Sequence, residues 1–325
     1  MANILILGAG SMGTAFSFPC SDNGHSVSIV GTHLENDFID KINSTKKHPA
    51  LDCEVQKNVK FFKFEKLKEE INKKIDLIVI AVVSKGIEWA SNEISKVLKS
   101  NVPILILTKG LAINNNNYEV LAHKMERLLK KNGMKETNIS AAGGPCLAKN
   151  LANKAHTAVV FANNDIKIAE KISKLVSTDY YHVSTSDDVV GVEACAAIKN
   201  IFSMAVGASQ GLCDAKQSKE KNYLNTAAAL MQESIYEMIT FVEKLKGKKE
   251  TVIGLAGIGD LYVSADGGRN SKMGEHLGQG MTFQEAKKTK MPNITVEGAD
   301  LALEIGPKIK KDFDTKTLPL MISMI

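Results

Sequence analysis

Short apolar runs recur along the first half of the chain, and stretches with apolar residues at helical spacing separate most of them. Apolar runs of about four to eight residues bounded by turn-forming residues are typical of buried strands. The predicted strands are residues 4–7, 26–30, 77–83, 104–108, 139–142 and 158–162. Strands that alternate with helices favour a doubly wound, mostly parallel sheet, so the first half is predicted to be an α/β domain.

The pattern changes near residue 186. Long helical stretches are predicted at 189–209 and 222–245, and no strand is predicted after them. Small and acidic residues cluster at 184–188, which favours a domain boundary there. We therefore predict two domains, an α/β domain over 1–185 and an all-helical domain over 186–325. The polar run 114–117 is predicted to be a loop within the first domain.

The first strand runs directly into the pattern G-x-G-x-x-G, which is followed by a helical stretch. In a loop that binds a dinucleotide, Gly8 makes the turn, Gly10 lets the pyrophosphate approach the backbone, and Gly13 lets helix and strand pack closely. The pattern alone is weak evidence, but its position after an N-terminal strand and before a second strand is strong evidence. The first domain is therefore predicted to be a Rossmann-type domain that binds a dinucleotide.

The end of the second predicted strand bears on the choice between NAD and NADP. An acid there usually binds the ribose 2′-hydroxyl of NAD, but this chain has Gly31, Thr32 and His33 at that point. With no carboxylate to repel a 2′-phosphate, we expect NADPH to be used at least as well as NADH. His33 is either a cofactor contact or a solvated loop residue, and Glu35 is close enough to keep NAD open.

The segment 255–270, LAGIGDLYVSADGGRN, is predicted to be a glycine-rich loop that carries an acid, a guanidinium and an amide. Glycines before Asp260 and before Arg269 allow tight bends, so these side chains can converge on a compact ligand. A guanidinium fork suits a phosphate or a carboxylate. The alternative is a surface loop in which Asp260 and Arg269 pair with each other.

Lys199 is the candidate for proton transfer. Its neighbours one helical turn away are mainly apolar, and loss of solvation makes an ammonium a better proton donor. The alternative is a lysine that reaches the surface or pairs with Glu193. Lys109 and the run 143–146, GGPC, each follow a predicted strand at its C-terminal end, where open α/β sheets bind ligands.

Composition narrows the function classes. The 325 residues suggest about two domains, and the net charge of +5 is scattered over lysine-rich faces. Aromatic residues make up only 6% and are not interleaved with basic ones, so no nucleic-acid partner is predicted. The most apolar stretch contains Glu193 and Lys199, so no membrane span is predicted.

Cysteines and histidines point to a cytoplasmic protein without a metal site. The five cysteines are an odd set without C-x-x-C spacing, which is typical of reduced thiols, and no basic leader precedes the first apolar run. The seven histidines show no metal-ligand spacing. We therefore predict a cytoplasmic protein that binds no metal.

Seven motifs together carry a family resemblance. GAGSMG, LTKG, GGPCLA, AIKN, LAGIGDL, GGRN and TVEG occur in the order and approximate spacing of the NAD(P)-dependent glycerol-3-phosphate dehydrogenases, which the chain resembles over nearly its whole length. In that family a Rossmann domain binds the nucleotide and a helical domain supplies the catalytic lysine. The resemblance implies reversible hydride transfer between NAD(P)H and dihydroxyacetone phosphate, giving sn-glycerol 3-phosphate for phospholipid synthesis. A homodimer is also expected. The residues at the end of the second strand slightly favour NADP over NAD as the cofactor.

The resemblance assigns roles to matching positions. Lys199 resembles the proton-transferring lysine, Asp260 the acid that orients it, and Lys109 a second catalytic and substrate lysine. Other positions resemble substrate contacts: Gly144, Cys146, Asn225, Ser264, Gly268, Arg269 and Asn270. Positions that resemble nucleotide contacts, besides the three glycines of the first motif, are Ser11, Met12, His33, Lys109, Ala148, Arg269, Thr295 and Glu297.

Three departures from the family widen the range of candidate functions. Cys146 stands where the family has Ser or Thr, the strand end IAVVSKGI lacks a common proline, and the chain stops at Ile325 where relatives continue into further helix. A related polyol phosphate is therefore a second candidate substrate. The chain could instead be a small-hydroxyacid or ketopantoate dehydrogenase, or a catalytically idle NADP sensor, although intact Lys199, Asp260 and Arg269 disfavour the sensor.

Overall fold

A computed structural model describes residues 1–98, 101–215 and 223–325. The chain divides into two compact units. The first comprises Met1–Lys109 and Val120–Val189, and the second comprises Gly110–Glu119 and Val190–Ile325.

Eight strands of the first unit form one sheet. Its order is β12-β11-β10-β7-β6-β1-β2-β5, and every pairing is parallel except that of β10 with β11. The strands of the chain are β1 (Asn3–Leu7), β2 (Ser26–Val30), β3 (Lys47–His48), β4 (Cys53–Glu54), β5 (Val59–Phe62), β6 (Leu77–Ile80), β7 (Ile104–Ile106), β8 (Leu111–Asn114), β9 (Asn117–Val120), β10 (Ile139–Gly143), β11 (Thr157–Ala162) and β12 (Tyr181–Ser186).

Seven helices accompany this sheet and pack their apolar faces on it. They are α1 (Ser11–Asp22), α2 (Asn36–Thr45), α3 (Leu67–Ile71), α4 (Ile87–Val97), α5 (Leu121–Lys131), α6 (Ala148–Ala152) and α7 (Ile166–Val176). The core that they enclose includes Ile6 of β1, Phe16 of α1 and Phe161 of β11, each at most 1% exposed. In a parallel sheet the strand C-termini meet at one edge, so the loops after β1, β2, β6 and β7 lie side by side.

The predicted doubly wound fold is confirmed, and all six predicted strands are present with small differences at their ends. Two strands of the sheet were missed. β5 is short, and β12 (YHVSTS) is mostly polar because it is the last strand of the sheet and pairs only with β11. Apolar periodicity does not reveal such an edge strand.

The second unit is built mainly of helices. They are α8 (Val189–Ala215), α9 (Leu224–Lys244), α10 (Lys249–Val252), α11 (Asp260–Ala265), α12 (Arg269–Gly278), α13 (Phe283–Thr289), α14 (Glu297–Asp312) and α15 (Pro319–Met324). The two predicted helices correspond to α8 and α9, although the predicted start of the latter at Asn222 lies outside the described residues. By composition α8 is long and apolar enough over Val189–Cys213 to cross a membrane, but 89% of its apolar window is buried within the protein.

Helices α8 and α12 cross with their backbones in contact. A methyl group at Gly211 of α8 would overlap the carbonyl oxygen of Glu275, and one at Gly274 of α12 would overlap that of Met204. Glycines four residues apart on both helices (Gly207 and Gly211, Gly274 and Gly278) make this approach possible. The crossing fixes α12, which begins at Arg269, against the helix that carries Lys199.

The predicted loop at 114–117 is reduced to a two-residue turn at 115–116, and this segment belongs to the second unit rather than the first. β8 and β9 form a hairpin whose two central residues, Asn115 and Asn116, have φ of 47° and 60°. Asparagine tolerates this left-handed conformation, which a two-residue hairpin turn requires. Residues 110–119 belong to the second unit, where Tyr118 stacks edge-on against Phe241 of α9 and lies under the ammonium of Lys308.

Candidate active site

The loop after β1 has the shape that a dinucleotide requires. Gly8 adopts φ +111°, and a Cβ there would lie 2.6 Å from the carbonyl oxygen of Ala81, so only glycine fits. A Cβ at Gly13 would overlap the carbonyl oxygen of Gly8. Gly10 precedes α1, whose first turn contains the partly exposed Ser11 and Met12. Backbone N–H groups at such a helix start bind phosphate oxygens, so these residues fit the pyrophosphate of NAD or NADP.

The strand end after β2 does carry a carboxylate, contrary to the sequence expectation. Glu35 turns back over the glycine loop, where its Oε2 accepts hydrogen bonds from the N–H groups of Thr32 (2.7 Å) and Ala9 (3.3 Å). The turn 31–34 folds back on itself and brings Glu35 to the strand end, in line with the alternative that this acid is close enough to keep NAD open. Glu35 therefore belongs to the nucleotide edge.

Three aromatic side chains at the same edge were not recognised together from the sequence. The exposed ring of His33 lies 5.4 Å from Trp89 and 6.5 Å from Phe64, and Phe64 lies 5.2 Å from Trp89 (ring centroids). Each residue follows a different strand, namely β2, β5 and β6. In the sequence, the cluster shows only as one aromatic or imidazole side chain after each of these strands. One of the strands, β5, was not predicted.

A second group of predicted residues lies at the neighbouring strand ends. Lys109 follows β7, and Gly144, with φ +108°, follows the adjacent strand β10. The Nζ of Lys109 lies 3.5 Å from the carbonyl oxygen of Gly144. Cys146 is partly buried and Ala148 begins α6. The structure thus brings Lys109 and Gly144 together within the first unit.

The strongest polar cluster of the second unit surrounds Lys199. This residue of α8 is 6% exposed, and its ammonium donates hydrogen bonds to Oδ1 of Asp260 and to Oγ of Ser264 (2.5 Å). Asp260 is 2% exposed. Asp260 begins α11 and Ser264 lies one turn later, so both side chains point from one helix face. A buried ammonium oriented by a carboxylate and a hydroxyl is equipped to donate a proton to a substrate oxygen.

The segment before Asp260 is helical, so the predicted loop is wrong there. Leu255–Gly259 form a π-helical turn that continues directly into α11. Such turns are rare and often mark functional sites, because the wider spacing changes the direction of the side chain that follows. Here the turn aims Asp260 at Lys199.

Arg269 and Asp260 form ion pairs with other residues, which disfavours the alternative of a surface loop in which they pair with each other. The guanidinium forms an ion pair with the carboxylate of Glu297, the first residue of α14, and both side chains are substantially exposed. Gly268 precedes α12, and Thr295 is exposed two residues before Glu297. The structure thus brings Arg269 and Glu297 together on an accessible surface.

The structure places the two predicted asparagines, Asn270 and Asn225, in different surroundings. The amide of Asn270 is 6% exposed and ties three elements together: its Nδ2 donates to Oδ1 of Asn200 (3.0 Å), and its Oδ1 accepts from the N–H of Gly298 (2.8 Å). This role positions the start of α14, and with it Glu297. Asn225 is exposed in the first turn of α9.

Comparison with known proteins shows the family of the chain. Two family models match the chain, the N-terminus of the NAD-dependent glycerol-3-phosphate dehydrogenases over residues 3–169 and their C-terminus over residues 188–324. The chain belongs to the NAD-dependent glycerol-3-phosphate dehydrogenase family. The predicted family resemblance is confirmed.

Similar proteins carry the name of this glycerol-3-phosphate dehydrogenase family. An NADP(+)-dependent glycerol-3-phosphate dehydrogenase from Archaeoglobus fulgidus is 31% identical over 95% of this chain and 91% of its own length. A glycerol-3-phosphate dehydrogenase [NAD(P)+] from Francisella tularensis subsp. mediasiatica is 31% identical over 95% of this chain and 88% of its own length. The crystal structure of the Coxiella burnetii glycerol-3-phosphate dehydrogenase matches with a TM-score of 0.82, at 25% identity over 99% of this chain and 93% of that one.

Proposed function

We propose that the protein reduces dihydroxyacetone phosphate to sn-glycerol 3-phosphate, reversibly, with NADH or NADPH as the hydride donor, and that the product supplies phospholipid synthesis. The buried contact of Lys199 with Asp260 and Ser264 carries the proposal. It supplies an oriented proton donor in a chain that belongs to a family of dehydrogenases. The glycine loop, in which a Cβ would fill the space at Gly8, fits the dinucleotide that the reaction needs.

The protein's own residues account for the proton and for charge stabilisation. A dinucleotide held at the glycine loop would supply the hydride for the carbonyl carbon, and the carbonyl oxygen would then gain negative charge. Lys199 stabilises this charge and transfers its proton to the oxygen. Asp260 and Ser264 hold the ammonium in one direction, so little reorganisation is needed during the reaction.

Arg269 is proposed to bind the substrate phosphate. Its planar guanidinium suits two phosphate oxygens, and it is exposed at the start of α12. The guanidinium pairs with Glu297, so a phosphate bound by Arg269 would compete with this carboxylate. The substrate and cofactor contacts predicted for Lys109, Gly144, Cys146, Ala148, Asn225 and Thr295 stay predictions, as do the homodimer and the cytoplasmic location.

A substrate panel tests the proposal. Oxidation of NADH and NADPH by the purified protein is measured with dihydroxyacetone phosphate, unphosphorylated dihydroxyacetone and ketopantoate. We expect the highest kcat/KM with dihydroxyacetone phosphate, because only it offers Arg269 a phosphate. Faster turnover of ketopantoate would instead identify a hydroxyacid dehydrogenase, and no turnover with either cofactor would contradict the proposed reaction.

A further inference from the structure

The carboxylate of Glu35 lies where a dinucleotide places its adenosine ribose. It sits at the end of β2 beside the glycine loop, and its Oε1 lies 4.0 Å from the position that a Cβ on Gly10 would occupy. The bonds from Ala9 and Thr32 go to Oε2 alone. Oε1 therefore faces the path of the cofactor and can accept a hydrogen bond from a ribose hydroxyl.

The aromatic rings of His33, Phe64 and Trp89 mark where the adenine base lies relative to this carboxylate. They form one cluster at the same sheet edge, with centroids 5.2–6.5 Å apart. Flat aromatic and imidazole faces stack on a purine. Glu35 follows His33 by two residues, so an adenine on this cluster keeps its ribose next to the Glu35 carboxylate.

The charge of Glu35 is unfavourable for a 2′-phosphate. Its carboxylate lies beside the glycine loop. A 2′-phosphate on a ribose next to this carboxylate would be repelled, because both groups are negatively charged.

We infer that Glu35 selects NAD(H) over NADP(H) by accepting the ribose 2′-hydroxyl and repelling a 2′-phosphate. The inference rests on the proposed NAD(P)-linked function and specifies its cofactor. It departs from the expectation that NADPH is used at least as well as NADH and takes up the alternative that Glu35 keeps NAD open.

Glu35→Gln tests the inference because it removes the negative charge and keeps the hydrogen bonds to the glycine loop and to the turn after β2. Both N–H groups bond to a single oxygen, Oε2, and the one amide oxygen of glutamine can accept both. Asp37→Asn is the matched control. It removes a carboxylate two residues away that is exposed and does not contact the glycine loop in the bonds that the structure shows.

The chain contains a single tryptophan, Trp89, which lies in the aromatic cluster and reports nucleotide binding by its fluorescence. Dissociation constants of NADH, NADPH, ADP-ribose and 2′-phospho-ADP-ribose are measured without substrate for the three proteins. We expect the wild type to bind each unphosphorylated nucleotide more tightly than its 2′-phosphorylated counterpart. Glu35→Gln should lower this ratio by about tenfold or more, the scale of one hydrogen bond to a charged group, and Asp37→Asn by much less.

Two outcomes would overturn the inference while leaving the proposed function intact: tighter binding of NADPH by the wild type, or an equal ratio in the wild type and Glu35→Gln. An equal drop in Asp37→Asn would also overturn it, because general charge and not Glu35 would then set the preference. Failure of all four nucleotides to bind would instead contradict the proposed nucleotide-dependent function.

Discussion

At the scale of single residues, Lys199 is the centre of the account. Its ammonium is buried, and its bonds to Asp260 and Ser264 come from one short helix. Leu261 and Phe202, on the same two helices, are fully buried apolar side chains, so the ion pair lies in an apolar part of the unit. Removing two charges from water costs free energy that their attraction does not always recover, so a buried ion pair is weak evidence of a stabilising role. This favours a chemical role for Lys199 and Asp260.

Replacing Lys199 should abolish most of the turnover. We expect Lys199→Ala to lower kcat by at least about a hundredfold, the scale of a general acid, with the dissociation constant of the cofactor little changed. Lys199→Arg keeps the positive charge beside Asp260 but holds its proton too tightly, so its kcat should also fall. Thermal unfolding of both variants shows whether the fold is kept.

Ser203→Ala is the control, since this buried hydroxyl on the same helix bonds only to the backbone carbonyl of Asn200 in the contacts that the structure shows. Near-normal kcat in a folded Lys199→Arg or Lys199→Ala protein would rule out proton transfer by this lysine.

The sequence predicted the residue types of the site better than their contacts. Lys199, Asp260 and Ser264 were named through the family resemblance, and they are adjacent in space. Asn270 is predicted to contact the substrate phosphate, and the structure shows that its amide joins Asn200 to Gly298. No pattern in one sequence distinguishes an amide that binds a ligand from one that binds a neighbouring backbone, because both need the same donor and acceptor.

At the scale of elements, periodic apolar runs predicted the parallel strands and the two long helices, and short or polar elements were missed. The hairpin at Asn115 and Asn116 depends on left-handed backbone at two asparagines, and the π-helical turn before Asp260 reads as a glycine-rich loop. Both depend on local backbone geometry more than on hydrophobic spacing. The turn that brings Glu35 back to the end of β2 also depends on local backbone geometry.

The last helix is held by a buried carboxylate, which gives stability a pH dependence. Glu237 of α9 is 1% exposed and accepts the N–H groups of Leu320 (2.5 Å) and Met321 (2.8 Å) at the start of α15. Burial raises its pKa above the ordinary value of 4.5. The folded state therefore binds a proton more tightly than the unfolded state does, so this group stabilises the fold most at low pH and less as pH rises through the raised pKa.

Comparison with Glu237→Gln isolates this effect. The free energy of unfolding of the wild type minus that of the variant should decrease as pH rises above 4.5 and become constant once Glu237 is fully ionised. Urea unfolding of both proteins at a series of pH values measures the difference. A difference that grows with pH, or that does not depend on pH, would show that burial does not dominate the environment of Glu237.

At the scale of the whole molecule, the prediction of an NAD(P)-dependent glycerol-3-phosphate dehydrogenase is confirmed by both family models and by relatives 31% identical over 95% of the chain. The family assignment came from seven motifs spread over both halves of the sequence, each weak alone. Their order could be seen without a structure, whereas the pairing of Arg269 with Glu297 could not, because it joins two segments 28 residues apart.

The central claim is that the substrate is held by its phosphate and protonated by Lys199, and Arg269→Lys tests it most directly. This change keeps the charge but removes the two-point fork, so phosphate binding should weaken. Lys272→Ala is the control, since Lys272 is an exposed cation on the same helix. The measurement is kcat/KM of wild type and both variants for dihydroxyacetone phosphate and for unphosphorylated dihydroxyacetone.

The account predicts that Arg269→Lys lowers kcat/KM for dihydroxyacetone phosphate by about tenfold or more, the scale of a lost charge-assisted hydrogen bond, while the value for dihydroxyacetone changes little. Lys272→Ala should change neither. Equal losses on both substrates in Arg269→Lys would contradict the account, because Arg269 would then support the fold or the cofactor and not the phosphate.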